Sequence, residues 1–392
     1  MTYGKPYAGI RVVDLTQGLA GPYCAMLLAR NGADVVKVEP LGGDWARTVG
    51  KPFGDHSAIS IIPSIGKRSI ALDLKAEEGT EVVNRLLIGA DIFMESYRPG
   101  VAERLGFGYK GVSERNARIL YLSVSGWGQK GPLSRRPATD SVMQAFSGFM
   151  SSNIGPEGIP HKSQVIISDM VTGMYSFQAV SAALFARQGE SHGRYIDCNL
   201  LGGAAAFQGV NLVRAIYEGE GLQAWLTPSG TYAATDGSIN IVVLRDQEFP
   251  GFCDAMELPE FKEDPRYATN ALRYENREAL EATLREAFAR KTCAEWDERL
   301  TAGEILHERV NTYKDFLSHP QVSENGAIAY LKDPHAGLLP IPNIPGMEPP
   351  ADGDGLFAPG LGEHSAEILR NLGYGEAEIS RLAERKVILP TV

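Results

Sequence analysis

From residue 9 the chain alternates between short apolar runs and longer amphipathic ones. GIRVVDL (9–15) is β-branched and of strand length. TQGLAGP (16–22) follows as a turn-forming loop, with Pro22 suited to the first turn of a helix that runs from Tyr23 to Asn31. Gly32 suits the position just past a helix end. ADVVKVEP (33–40) reads as a second strand. Strand, helix, strand at this length predicts a βαβ unit, hence parallel pairing and a right-handed crossover.

The pattern recurs. SIALDL is a strand, EEGTEVVNRLLIGA a helix and DIFMES a strand, followed by the loop YRPGV. ARILYLSVSG is a further strand, a helix runs from Asp169 to about Arg187, and RYIDCNL is again a strand. This alternation predicts an α/β fold of the doubly wound, Rossmann-like type. EGEGLQAWLTPSG, near 215–230, reads as a connection between domains. Beyond it, TYAATDGSINIVVL predicts a hairpin and NREALEATLREAFAR an amphipathic helix, as in a smaller α/β unit. The Pro- and Gly-rich stretch 333–362 is expected to be irregular, and HSAEILRNLGY and GEAEISRLAERK to be a closing helical pair. The division expected is 1–220, 221–325 and 326–392. No internal repeat or low-complexity tract interrupts it.

Composition narrows the chemistry. The 392 residues carry a net charge of −10, so a global basic footprint for nucleic acid is excluded. Cys24, Cys198, Cys253 and Cys293 form no CxxC pair, which argues against a zinc ribbon and fits a reducing, cytoplasmic setting. No signal-peptide core and no apolar run of about 18 residues is present, so no membrane span is expected. The seven histidines, His335 among them, show no HxxxH or HxH spacing, so no metal site is expected. TQGLAGP lacks G-x-G-x-x-G although Glu39 ends the second strand, which argues against NAD; Walker A and GxSxG are missing too.

Two features remain. Lys67, Arg68, Lys75, Arg98, Arg104, Lys130, Arg135 and Arg136 crowd the first third, mostly in loops after strands, where α/β folds bind ligands. They form either a solvated face or an anion site. Asp169 stands between Val165–Ile167 and a long apolar segment. It reads as a helix N-cap contributing about 1 kcal/mol, or as a reactive carboxylate facing helix N–H donors. Gly126, Gly128 and Gly131 in GWGQKG are either a cover for such a site or a plain turn.

Several stretches together resemble a known family, the family III CoA-transferases of the CaiB–BaiF group, which are formyl-CoA transferase-like. They are VVDLTQGLAGPYCAMLLARNGADVVKVEPLGGD, GKRSIALDLK, ESYRPGVAERLGFGY, SGWGQKGP, ISDMVTG and APGLGEHSAEILRNLGY, in order along nearly the whole chain. The resemblance implies that Asp169 is the nucleophile. It implies that coenzyme A lies along Leu72, Asp73, Leu74 and Lys75, then Ser96, Tyr97, Arg98 and Arg104, then Pro137, Ala138, Thr139 and Asp140. Position 96 is most often asparagine in such proteins, so Ser96 is a departure.

The resemblance further implies a homodimer of interlocked rings, with residues 326–392 returning to the large domain. Its partners would be an acyl-CoA donor and a small carboxylic acid, without metal, NAD, nucleic acid or membrane. An aspartyl anhydride and an aspartyl–CoA thioester would carry the transfer. This needs an ionised Asp169, which the helix start and nearby basic residues are expected to favour. The alternative within the fold is a 2-methylacyl-CoA racemase or epimerase. Those relatives carry a histidine beside an aspartate where this chain has Thr139–Asp140, so an acid/base partner is missing here. The segment NIVVLRDQEFPGFCDAM has one glycine where oxalate-type relatives have a run, which argues against oxalate or formyl-CoA specificity and leaves short dicarboxylic or hydroxy acids as the default expectation.

Overall fold

A computed structural model describes residues 4–155, 157–219, 225–334, 337–350 and 356–390. The chain forms two compact units, one from residues 1–219 and 326–392, the other from 220–325.

The larger unit is built on six parallel strands: β1 (Arg11–Leu15), β2 (Asp34–Glu39), β3 (Arg68–Ala71), β4 (Ile92–Glu95), β5 (Leu120–Ser125) and β6 (Arg194–Asn199). Their order across the sheet is β3-β2-β1-β4-β5-β6, all neighbours parallel. The central strands are mostly apolar and buried because both faces are covered, with Asp14, Lys37 and Glu95 as buried charged exceptions. Val13, Leu15, Val36, Phe93 and Tyr121 face one core, which Ile368, Leu369, Ile379 and Leu382 of the closing helices complete. The alternate residues Val12, Val35, Ile92, Met94 and Leu120 face the other. That second core is closed by α1 (Ala20–Arg30) and by a later helix of 21 residues, Ile167–Arg187. Chain order reverses between β1 and β4, and ligands in this architecture bind outside the strand ends at such a reversal.

Further helices are α2 (Glu77–Ile88), α3 (Asp140–Phe146), α4 (Ile167–Arg187), α5 (Leu200–Phe207) and α6 (Gly209–Glu218). Apart from α2 and α4, these were not legible from periodicity. α1 and α4 approach closely at Gly173, where a Cβ would lie 2.8 Å from the Ala20 carbonyl oxygen. α4 begins two residues ahead of Asp169, so the N-cap expectation is corrected: Ile166 holds that place without a side-chain cap. The stretch expected to be irregular also differs. Gly337–Pro342 pairs antiparallel with Ile328–Asp333, and prolines are tolerated there because a two-stranded ribbon has only edges. Within that stretch residues 335–336, with His335, and 351–355 lie outside the described residues, as do 220–224 of the first connection.

The smaller unit carries the hairpin Ser229–Ala233 with Ser238–Val242, extended by Leu306–Arg309. Its core includes Ile239, Ile241, Phe252, Phe288 and Trp296, with the amphipathic helix Arg277–Phe288 packed in. No helix among the described residues is long and apolar enough to cross a membrane.

Candidate active site

The loops that leave β1, β4 and β5 surround a cleft of about 780 Å³ at the reversal point. Gln17 and Leu19 come from the first loop with Ala20 and Gly21 at the start of α1, Ser96–Gly100 from the second loop with Val101 and Arg104 of the helical turn that follows, and Gly126 and Ser134–Thr139 from the third. Trp45, Val124, Ser125, Leu200 and Asp169 complete the lining. Seven of the residues expected to hold coenzyme A therefore meet here with Asp169: Ser96, Tyr97, Arg98, Arg104, Pro137, Ala138 and Thr139.

Asp169 is the third residue of α4 and half-buried. Among the described residues its carboxylate makes no hydrogen bond or ion pair. Asp140 lies behind the lining and caps the helix from outside. Its Oδ1 accepts the Ser168 N–H at 2.6 Å and the Asp169 N–H at 3.4 Å, while its Oδ2 accepts from Gln144 Nε2 at 2.6 Å. Burial, and then the Asp140 carboxylate, pushes Asp169 up to about 7. The expectation that basic residues hold it ionised is thus corrected. Among the described residues no cation pairs with it, and the Ser168 and Asp169 N–H groups already donate to Asp140.

The basic residues divide. Arg98, Arg104, Arg135 and Arg136 line the cleft, and none of their guanidinium groups is paired among the described residues. Such free, forked donors suit phosphate or carboxylate. Lys67 is corrected to a structural role: it is fully buried and bonds Asp14 at 2.8 Å and the Pro22 carbonyl at 2.9 Å. Arg68 is paired to Asp34 and Glu367. Lys130 is exposed outside the lining.

Leu72, Asp73, Leu74 and Lys75 do not line this cleft. They follow β3 at the sheet edge, where Leu72 bridges Ile388 and the Asp73 N–H donates to the Val387 carbonyl. Of the three glycines, only Gly126 lines the cleft, and a Cβ there would lie 2.4 Å from that of Ala138. Gly128 and Gly131 have φ of +83° and +94°, as a turn requires. Glu95, buried at the end of β4, is pushed up to about 7 by burial, and its Oε2 accepts the Tyr97 N–H at 2.7 Å.

Sequence reasoning missed Gln17 and Trp45. Gln17 offers a carboxamide with no partner among the described residues; its signal was its place in the loop after the first strand of a doubly wound fold. Nothing in the pattern distinguished Trp45. Among the described residues no group of three His, Cys, Asp or Glu side chains is placed to hold a metal.

Fold and site together define a doubly wound α/β protein whose reversal-point cleft joins an unpaired carboxylate to unpaired guanidinium groups. Residues 7–365 match the sequence model described as CoA-transferase family III. The chain belongs to that family and is an enzyme of the CoA-transferase class. It is similar to the human succinyl-CoA:glutarate CoA-transferase, 32% identical over 98% of this chain and 90% of the relative. It is also similar to the acetyl-CoA:oxalate CoA-transferase of Acetobacter aceti, 35% identical over 74% of this chain and 77% of the relative. A crystal structure of a CaiB/BaiF family protein from Brucella suis superposes with a TM-score of 0.84 at 29% identity, over 94% of this chain and all of that one.

Proposed function

We propose that the protein moves coenzyme A from an acyl-CoA to a short dicarboxylic or hydroxy acid, with Asp169 as the nucleophile. The observation that carries this is the unpaired Asp169 carboxylate in a cleft lined by four free guanidinium groups. Asp169 attacks the thioester carbonyl and CoA thiolate leaves, giving a mixed anhydride. The thiolate then attacks the Asp169 carbonyl of that anhydride, freeing the donor acid and leaving an aspartyl–CoA thioester. The acceptor carboxylate attacks this thioester and expels the thiolate. The thiolate finally attacks the acceptor's carbonyl, forming the new acyl-CoA and restoring Asp169. Each step exchanges one acyl bond for another, so no proton is consumed and no thioester is spent on water. Each passes through an oxyanion, and the free Gln17 carboxamide is a donor placed in the same cleft.

The acid class is supported by relatives named for glutarate, L-malate and D-citramalate. The relatives named here are CoA-transferases, and the racemase alternative gains no support from them. Arg98, Arg104, Arg135 and Arg136 would hold the charged part of coenzyme A, with Asp140 supporting the site from behind. Leu72–Lys75 stand three strand spacings from β4, about 14 Å, a span that an extended pantetheine and nucleotide can cover.

An interlocked homodimer is supported by α6, which buries none of its residues although Val210, Ile216 and Tyr217 are 65%, 82% and 85% exposed. Apolar faces of this kind mark interfaces. Light scattering should give twice the chain mass.

Asp169→Ala tests the assignment. Transfer should fall by roughly 10⁴-fold or more while CoA binding persists. Hydroxylamine added during turnover should leave a hydroxamate on the Asp169 peptide. Near-normal turnover in the variant would sink the reading.

A further inference from the structure

The loop after β1 is held from three sides. Three successive residues each give a backbone group to a side chain from elsewhere in the fold. The Thr16 carbonyl accepts from Lys37 Nζ at 3.0 Å. The Gln17 N–H donates to Ser96 Oγ at 2.8 Å. The Gly18 N–H donates to the Asp44 carboxylate at 3.0 and 3.1 Å. Lys37 and Asp44 are themselves paired at 2.9 Å, with side chains 2% and 3% exposed. The Trp45 ring closes over the turn, so that a Cβ on Gly18 would lie 2.5 Å from it. The Gln17 backbone is thus anchored by three side chains, while its carboxamide has no partner among the described residues and Gln17 lines the cleft. A rigid backbone beneath a free polar side chain is what a preorganised donor needs.

We propose that Ser96 is a positioning residue that acts through Gln17, and not a ligand of coenzyme A. The inference rests on the reading of this cleft as the acyl-transfer site. Ser96 Oγ is already engaged by Gln17 through two contacts. It accepts the N–H, and it lies 3.5 Å from the Gln17 carbonyl, to which it donates. A hydroxyl has a single proton to give, and here it is directed at Gln17, so Ser96 has no donor left for a ligand and only one acceptor site. The bond also joins the loops after β1 and β4, the two walls of the reversal-point crevice. Removing it leaves the Gln17 N–H without a partner and frees one side of the turn, while Lys37 and Asp44 still hold the other.

The test is steady-state kinetics of Ser96→Ala, Gln17→Ala and the double variant, with kcat and the KM for acyl-CoA read separately. Ser96→Ala should lower kcat about tenfold through misplacement of Gln17, with KM changed by less than about twofold. Ser96→Thr, which keeps the hydroxyl, should recover most of kcat. Ser96→Cys, with a poorer acceptor, should fall between the two and reads the same bond independently. The double variant should be no slower than Gln17→Ala, because the two side chains serve one function. A raised KM at unchanged kcat in Ser96→Ala would make Ser96 a ligand and overturn the proposal. Multiplying losses in the double variant, or wild-type kcat in Gln17→Ala, would overturn it as well. All three results are separable from failure of the site reading, which is decided by Asp169→Ala alone.

Discussion

One carboxylate caps the helix that carries another: Asp140 Oδ1 accepts the Ser168 N–H at 2.6 Å and the Asp169 N–H at 3.4 Å. The helix start would otherwise offer those donors to Asp169 or to an oxyanion formed on it. Asp140 also sets a like charge beside the nucleophile proposed here, and adds to burial in raising its carboxyl. Asp140→Asn removes the charge and keeps an oxygen for the Ser168 N–H. The acid limb of its kcat/KM profile should shift to lower pH, at a stability cost of about 1 kcal/mol for the weakened cap. A pH–rate series and urea unfolding on the same variant check both.

The proposed transfer uses Asp169 ionised. With its carboxyl raised from 3.8 to about 7, activity should climb as pH rises through 7 and level off above it. Stability runs the other way. The folded protein holds this proton more tightly than the unfolded chain, so the contribution is complete below about 3.8 and is lost as pH rises towards 7. Asp169→Asn, inactive but permanently neutral, should therefore melt higher than the parent at pH 8, and the gap should close at pH 4. Calorimetry at the two pH values reads this directly.

Arg98, Arg104, Arg135 and Arg136 are free to meet phosphate oxygens. Replacing any one by Ala should raise the KM for acyl-CoA by roughly three- to tenfold, with a smaller effect on kcat. Because these groups are exposed, added salt should weaken binding by the parent more than by the variant. Initial rates over a salt series provide the comparison.

Lys67 and Asp14 form an ion pair with both side chains fully buried. Lys67→Met strands a buried carboxylate and should lower stability by about 3–5 kcal/mol. Adding Asp14→Leu should recover part of the loss, although Asp14 also accepts the Thr16 N–H. Urea midpoints of the single and double variants measure it.

The fold was largely legible because parallel strands buried on both faces leave short β-branched, mostly apolar runs, as in Val12–Leu15 and Val35–Val38, broken only by the buried Asp14 and Lys37. Helices α5 and α6 were not: LLGGAAAF is too uniformly small and apolar to show a stripe although Leu200 and Ala204 pack into the second core, and GVNLVRAIYE buries none of its residues among those described. The strand at Gly337–Pro342 was hidden by its prolines, which punctuate most sequences but only border a ribbon. At the site, Arg98, Arg104 and Asp169 were marked by residue type and position. The burial that converts a simple acid into one near 7, and the capping by Asp140, depend on segments 29 residues apart. Lys67 misled because a lysine before a strand looks the same in sequence whether it faces solvent or Asp14.

Ile368, Leu369, Ile379 and Leu382 wall one side of the core that β1, β2 and β4 begin. On the ribosome, the larger unit therefore starts early and waits. The smaller unit is made from one continuous stretch, so it can fold while its neighbour still lacks a side. Until the final helices emerge, the apolar faces of the first strands stand exposed. The period between the synthesis of residue 219 and the arrival of the last few dozen residues is when a nascent chain of this protein has most need of a chaperone.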